Sequence, residues 1–100
     1  MEIDLERAAI EVIHAPERSR YEITADERVV GFADYRTTDD ALVFSHTVID
    51  PNLRGHNLGE RLVHEALDDV RRRGLHVVPR CWFVAEYIAS HPEYKELRAA

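Results

Sequence analysis

The sequence is poor in cysteine, glycine and proline, and it has no long hydrophobic run. It holds one cysteine, four glycines and four prolines among its 100 residues. A single cysteine cannot close an internal disulfide, which favours the reducing cytoplasm. No apolar stretch approaches the roughly 18 residues of a membrane-spanning helix, and the opening MEIDLERAA lacks the basic-then-apolar order of a signal peptide. We therefore expect a cytoplasmic protein that does not insert into membranes.

Positive charge is also scarce. Thirteen Lys and Arg residues oppose 19 Asp and Glu residues, which gives a formal net charge of −6. Proteins that bind nucleic acid or anionic membranes need a basic face, so we expect neither partner. The apolar fraction of 45% fits a folded chain, and no stretch is rich enough in Pro, Gly or Ser to be a linker. The sequence predicts one domain over residues 1–100, less ordered at 1–9, and a monomer or weak dimer.

The first half of the chain has the pattern of short strands. Tight connections such as ADER and TTDD separate them, and these residue types are typical of turns. Short connections between successive strands predict an antiparallel meander. The strand candidates are IEVIH (10–14), RYEITA (20–25), VVGFADYR (29–36) and ALVFSHTVI (41–49).

The periodicity changes at Leu58. From there apolar residues recur every three or four positions, which predicts a helix packed on a sheet, and Gly74 after three arginines is typical of a helix end. LHVVP (75–79) predicts a strand parallel to 41–49, joined to it by the helical crossover. WFVAEYIA (82–89) predicts a second helix. The expected fold class is α/β: a mixed sheet with an antiparallel meander, a helix crossover to a parallel strand, and a C-terminal helix.

Residues 53–62, LRGHNLGERL, connect the last meander strand to the first helix. The N–H groups at a helix start attract anions, and Gly55 and Gly59 let a ligand approach the backbone closely. Arg54 adds positive charge. Asn57 stands where such loops usually have glycine, yet asparagine enters left-handed conformations more readily than most side chains. Taken alone, a glycine pair before a helix is more often structural than a ligand site.

Two longer stretches, HTVIDPNLRGHNLGERLVHEAL and VVPRCWFVAEYIASHPEY, together resemble the small, single-domain branch of the GCN5-related N-acetyltransferases. The likeness runs from about residue 10 to 97. The superfamily's loop pattern is Arg or Gln, two residues, Gly, any residue, then Gly or Ala. The branch is further marked by a His-Thr pair, here 46–47, and by a cysteine followed by aromatic residues, here 81–83. The loop reads Arg54, Gly55, His56, Asn57, Leu58, Gly59, so it departs from the pattern only at Asn57.

The resemblance implies a site for acetyl-coenzyme A as cosubstrate. The coenzyme's pantetheine arm would run between strands 41–49 and 75–79, which splay apart in this family. The acetyl group would pass to an amine: a protein lysine, a polyamine or a small amine. The expected coenzyme-binding residues are Arg54, Gly55, His56, Asn57, Leu58 and Gly59 of the loop, with Val48 and Ile49 of the strand.

Cys81 is the first candidate for the chemistry. It stands where a strand gives way to a helix, and the positive helix end and Arg80 would favour its thiolate form. The resemblance leaves three roles open: the thiol orients the acetyl group, carries it, or protonates the departing coenzyme thiolate. A lone cysteine is more commonly a small buried hydrophobe.

His46 and Tyr87 are the other two candidates. In strict alternation His46 shares a face with Leu42, Phe44 and Val48, and apolar surroundings would keep its imidazole neutral and able to act as a base. A single histidine on an apolar face is, however, more often a core residue. Tyr87 stands near the last-helix tyrosine that serves as an acid in larger relatives, and it fits a packing role equally well.

Two other functions match parts of the same pattern. A module that binds acyl-coenzyme A without transferring it would keep the loop but would need neither Cys81 nor His46. A cysteine hydrolase would need those two side chains within hydrogen-bond reach, together with an oxyanion hole. The remaining histidines show no metal-ligand spacing, so we expect no metal site.

Overall fold

A five-stranded sheet forms the centre of the protein in the computed structural model, which describes residues 3–99. Its strands lie side by side in chain order. The first four pair antiparallel, and the fifth pairs parallel to the fourth, as the sequence predicts. The strands are β1 (Ile10–Ala15), β2 (Arg20–Ala25), β3 (Arg28–Thr38), β4 (Ala41–Ile49) and β5 (His76–Pro79).

Two α-helices pack against this sheet: α1 (Leu58–Arg72) and α2 (Trp82–Ser90). Three short 3-10 helices (Pro16–Arg18, Pro51–Leu53 and Pro92–Leu97) each begin at a proline, whose fixed φ suits the first helical position. No helix within residues 3–99 is both long enough and apolar enough to cross a membrane.

The core lies between the sheet and the two helices. Tyr21, Ile23 and Phe44 contribute large side chains from the sheet, and each is at most 1% exposed. The apolar stripe of α1 covers them, as its periodicity predicts, through Leu62, Val63, Ala66, Leu67 and Val70. Residues 1–9 are expected to be less ordered than the rest of the chain. Residues 1 and 2 lie outside the described range, and this expectation stays a prediction.

A β-bulge in β4 reverses which side chains face the core. Asp34 pairs with His46, but the next residue of β3, Tyr35, pairs with Phe44, so Ser45 is an extra residue in β4. Side chains alternate along a strand, and one extra residue moves everything beyond it to the other face. The predicted alternation is therefore wrong: Phe44 is buried in the core, whereas the His46 side chain lies on the opposite face and is 72% exposed.

β5 ends before β4 does, and this leaves an opening at the edge of the sheet. The last pair between them is Phe44 with Pro79, after which β4 continues to Ile49. The chain leaving β5 is held there, because the N–H groups of Arg80 and Cys81 donate to the Phe44 carbonyl at 3.0 and 2.9 Å. The start of α2 is thereby fixed beside the second half of β4.

Candidate active site

The connection from β4 to α1, residues 54–59, is called here the glycine loop. Two of its residues have a left-handed backbone: Gly55 with φ of 88° and Asn57 with φ of 60°. Asn57 is the N-cap of α1, and its side chain makes no capping hydrogen bond. The prediction that asparagine can take the conformation required here is confirmed, and it does so without using its side chain on the helix.

The glycine loop presents backbone donors at the start of a 15-residue helix. The N–H of Arg61 donates to the Asn57 carbonyl at 3.1 Å, so the N–H groups of residues 58–60 precede the first bond of the helix. These groups carry the positive end of the helix dipole. Arg54 and His56 are exposed on the same loop. This is the chemistry of an anion site.

A cleft of about 310 Å³ opens directly beside the glycine loop. Its walls are the loop itself, Thr47 and Ile49 of β4, and Phe83 of α2. Of the expected coenzyme residues on β4, Ile49 lines this cleft, whereas the Val48 side chain is 41% exposed on the other face of the strand. His56 lines a separate hollow of about 710 Å³ next to the N-terminal segment.

Phe83 reaches α1 at its first turn. A Cβ atom built on Gly59 would lie 2.9 Å from Cζ of the Phe83 ring. Gly59 therefore makes room for an aromatic side chain that closes the cleft, a packing requirement that the loop pattern alone does not reveal. Gly55, by contrast, has open space around it and needs glycine for its positive φ.

Cys81 is half-buried at the N-cap of α2. Its sulfur lies 3.4 Å from the hydroxyl oxygen of Thr47, within hydrogen-bond reach for sulfur. Thr47 also lines the cleft. Thr47 therefore lies between the thiol and the cleft, near the point where the pairing of β4 with β5 ends.

His46 does not share a cleft with Cys81. His46 and Thr47 are neighbours in β4, so their side chains lie on opposite faces of the strand. The bulge at Ser45 puts Thr47, whose hydroxyl contacts the thiol, on the core face and His46 on the other. There its Nδ1 atom lies 3.3 Å from a carboxylate oxygen of Asp34 on the neighbouring strand. A hydrolase that pairs Cys81 directly with His46 therefore has no geometric support.

Tyr87 points at α1 rather than at the cleft. Its hydroxyl lies 3.2 Å from Nδ1 of His64, and its ring stacks on that of His91 with centroids 3.9 Å apart. Tyr94 also places its hydroxyl on His64, at 2.8 Å. Burial, followed by nearby carboxylates, raises the pKa of the Tyr87 hydroxyl, so it holds its proton more firmly than a free tyrosine.

The sequence model of the GCN5-related N-acetyl-transferases matches residues 20–97. This span covers β2 to β5, both α-helices and the glycine loop. The chain belongs to the GCN5-related N-acetyltransferase family. Comparison with curated protein sequences gives no significant match.

Three solved structures share the fold of this N-acetyltransferase family member. A GCN5-like protein from Staphylococcus aureus aligns with a TM-score of 0.68 and 20% identity, over 90% of this chain and 88% of its own. The ribosomal-protein-S18-alanine N-acetyltransferase of Escherichia coli aligns at 0.59 and 18%, over 72% and 50%. The PaiA N-acetyltransferase of Thermoplasma acidophilum, in complex with coenzyme A, aligns at 0.53 and 13%, over 74% and 48%. The chain spans about half of the latter two.

Three contacts of the site were missed by sequence reasoning. They are the Thr47 hydroxyl on Cys81, the Asp34 carboxylate on His46, and the Phe83 ring against α1. The His-Thr pair pointed to Thr47 but did not show that its hydroxyl contacts Cys81. The pairing of Asp34 with His46 depends on the bulge, which the sequence does not reveal. Within residues 3–99 no group of three His, Cys, Asp or Glu residues is placed to hold a metal.

Proposed function

We propose that this protein transfers an acetyl group from acetyl-coenzyme A to an amine in the cytoplasm. The observation that carries the proposal is the glycine loop opening into a cleft lined by Thr47, whose hydroxyl contacts the Cys81 sulfur, in a chain of the GCN5-related family. The N–H groups of residues 58–60 suit a pyrophosphate, and Arg54 adds attraction. The solved relative from Thermoplasma acidophilum, which holds coenzyme A, supports the same ligand.

The cleft suits the long arm of the coenzyme. Ile49 and Phe83 supply apolar walls beside the glycine loop, and Thr47 stands between them and the thiol. The half of β4 beyond Phe44 has no strand of the described chain on its β5 side, so its backbone groups are open to hydrogen bonding. Val48 takes part through this backbone, since its side chain lies on the other face.

Acetyl-coenzyme A supplies an activated thioester. Side chains of the protein accept one proton and deliver another. The acceptor nitrogen bonds to the acetyl carbon while the carbon–sulfur bond breaks, so one proton leaves the nitrogen and one reaches the coenzyme sulfur. His46, held by Asp34, accepts the first, directly or through water. Cys81 delivers the second, or it attacks the thioester itself and carries the acetyl group to the amine.

The acceptor enters from the outer face of the sheet. His46 and Asp34 lie there with side chains 72% and 37% exposed, and the Asp34 carboxylate attracts a cationic amine. A lysine side chain, a polyamine or a small primary amine all satisfy this chemistry. The Escherichia coli relative is named for an alanine of ribosomal protein S18, which is an amine acceptor of the same general type.

The test is a titration of the ¹⁵N-labelled protein with coenzyme A, followed by an acetylation assay on a panel of amines. Amides of residues 54–60 and of the end of β4 should shift, while those of β1 stay constant. Arg54→Ala should weaken binding, more at low salt than at high salt, because exposed charges are screened. Arg98→Ala, beside β5, serves as the matched control. No shift at millimolar coenzyme would remove the proposal.

A further inference from the structure

We propose that Thr47 is a positioning residue for Cys81: its hydroxyl donates a hydrogen bond to the sulfur, holds the sulfur beside the part of the cleft wall that Thr47 forms, and favours the thiolate. This inference rests on the proposed acetyl transfer, by the route in which the Cys81 sulfur attacks the thioester and carries the acetyl group. It assigns a role to a side chain that lines the cleft but has no part in proton transfer. Oγ1 of Thr47 and Sγ of Cys81 lie 3.4 Å apart.

The bulge at Ser45 is what turns Thr47 inward. Thr47 pairs with Ala33 of β3, which is 1% exposed and belongs to the core cluster. In an unbulged strand, residues 44 and 47 would face opposite sides, and the threonine would point to solvent. The extra residue instead places Phe44 and Thr47 on the same face, with the hydroxyl next to the start of α2.

The backbone of Cys81 is fixed on both sides. Its N–H donates to the Phe44 carbonyl at 2.9 Å, and its own carbonyl accepts the N–H of Ala85 at 3.0 Å. The sulfur therefore keeps only the rotation about its side-chain bond, and the Thr47 hydroxyl lies within reach of one orientation of that rotation. Fixing a reactive atom in this way is how a support residue raises the efficiency of a site.

Either atom of this pair can be the donor, and we assign that part to the Thr47 hydroxyl. Among residues 3–99 the Thr47 hydroxyl has no side-chain hydrogen bond other than that to Cys81, so its proton is available to the sulfur. Ile49 and Phe83, which also line the cleft, have no polar side-chain atoms to offer. A donor aimed at sulfur stabilises the thiolate, which is the nucleophilic form. Cys81 is also the N-cap of α2, so the positive end of this helix stabilises the same thiolate charge.

The test uses alkylation of the only cysteine by iodoacetamide at fixed pH, which needs no coenzyme. Thr47→Val keeps the shape and removes the hydroxyl, and it should slow alkylation about two- to fivefold, because the lost thiolate fraction outweighs the gain in intrinsic nucleophilicity. Thr47→Ser should restore the rate. Thr24→Val, at a strand threonine whose hydroxyl bonds only the Glu11 carbonyl among described residues, is the matched control and should alkylate at the parent rate.

Two results would overturn the inference. Alkylation of folded Thr47→Val as fast as the parent, or faster, would mean that the threonine only covers the sulfur. Slowed alkylation with an unchanged acetylation rate would mean that Thr47 orients a thiol that the transfer does not use. If the parent protein does not bind coenzyme A, the proposed function fails. The alkylation rates still test the hydrogen bond between Thr47 and Cys81, because that assay needs no coenzyme.

Discussion

The ring of Phe83 occupies the space that a side chain at Gly59 would need, with Cζ 2.9 Å from the Cβ position. One glycine of the loop pattern therefore serves packing between α1 and α2, while the other, Gly55, serves backbone conformation. Because Phe83 also lines the cleft, the contact links the width of the cleft to the identity of residue 59.

Gly59→Ala should narrow the cleft by pushing the Phe83 ring into it. We expect coenzyme A affinity to fall about three- to tenfold, measured by calorimetry, while the free energy of unfolding changes little, since alanine is the better helix former. Adding Phe83→Leu should recover much of the affinity. Gly74→Ala is the matched control: its φ of 70° makes it costly for stability, but it lies away from the cleft.

Unchanged affinity in Gly59→Ala would show that the ring moves outward instead of into the cleft. In that case Phe83 would not limit the coenzyme, and the addition of Phe83→Leu should also have no effect on binding.

Asn57→Gly should keep coenzyme A affinity or improve it modestly. Asn57 has a left-handed backbone, and its side chain makes no capping hydrogen bond. The loop therefore needs the backbone conformation of residue 57 and not the asparagine side chain. Stability should change by no more than about 1 kcal/mol, as relief of the strained φ offsets the added freedom of the unfolded chain. Asn57→Val should destabilise the protein, because a β-branched residue resists this conformation.

A large loss of affinity in Asn57→Gly, measured in the same calorimetric titration, would mean that the asparagine side chain itself contacts the ligand. The backbone account of the glycine loop would then be wrong.

The parts of the fold that follow from local pattern could be predicted from the sequence. The start of α1 at Leu58 and the parallel placement of β5 both came from periodicity and connection length. The bulge at Ser45 could not be predicted, because nothing in ALVFSHTVI distinguishes an extra residue from a regular one. That single residue decides which side chains of β4 face Cys81 and which face solvent.

His14 lies in a second polar cluster, at the far end of α1 from the glycine loop. Its ring stacks on Tyr21, with centroids 4.4 Å apart, and its Nε2 atom lies 2.6 Å from the Tyr35 hydroxyl. Its Nδ1 atom is buried and has no hydrogen-bond partner among the described residues. Burial, followed by the charge of Arg73, lowers the pKa of His14, while the carboxylate of Asp69 opposes the shift less strongly.

This lowered pKa predicts a loss of stability in mild acid. The unfolded chain takes up a proton near the ordinary value of 6.5, whereas folded His14 resists it, so the unfolded state binds more protons and stability falls as pH drops below 6.5. The hydrogen bond from Arg18 lowers the carboxyl pKa of Glu22, so Glu22 affects stability only at more acidic pH than His14 does. Urea unfolding at pH 7.5, 6.5 and 5.5 should show the decline, and His14→Gln should reduce it.

An equal decline in His14→Gln would contradict this account, as would an ordinary titration midpoint for the His14 ring in the folded protein. The ring can be followed by NMR in the parent, so the measurement does not depend on the variant folding.

Cys81→Ala separates coenzyme binding from acetyl transfer. The substitution removes the sulfur with little change of shape, and the glycine loop that we propose to bind the coenzyme pyrophosphate lies on a different segment. Coenzyme affinity should therefore stay within a few-fold of the parent, while acetylation of the amine falls about 10- to 1,000-fold if the thiol delivers a proton or carries the acetyl group. Calorimetry and a coupled thiol-release assay measure the two quantities on the same preparation.

Intact-mass measurement after incubation with acetyl-coenzyme A then distinguishes the two catalytic roles. An acetyl adduct that is present in the parent and lost in Cys81→Ala identifies the sulfur as a carrier, whereas transfer without an adduct fits proton delivery to the departing thiolate. Cys81→Ser is informative beside it, because a hydroxyl can still bond to Thr47 but is a far weaker nucleophile. If Cys81→Ala acetylates amines as fast as the parent, the thiol is a packing residue, and the chemistry must come from His46 and Asp34 on the outer face of β4.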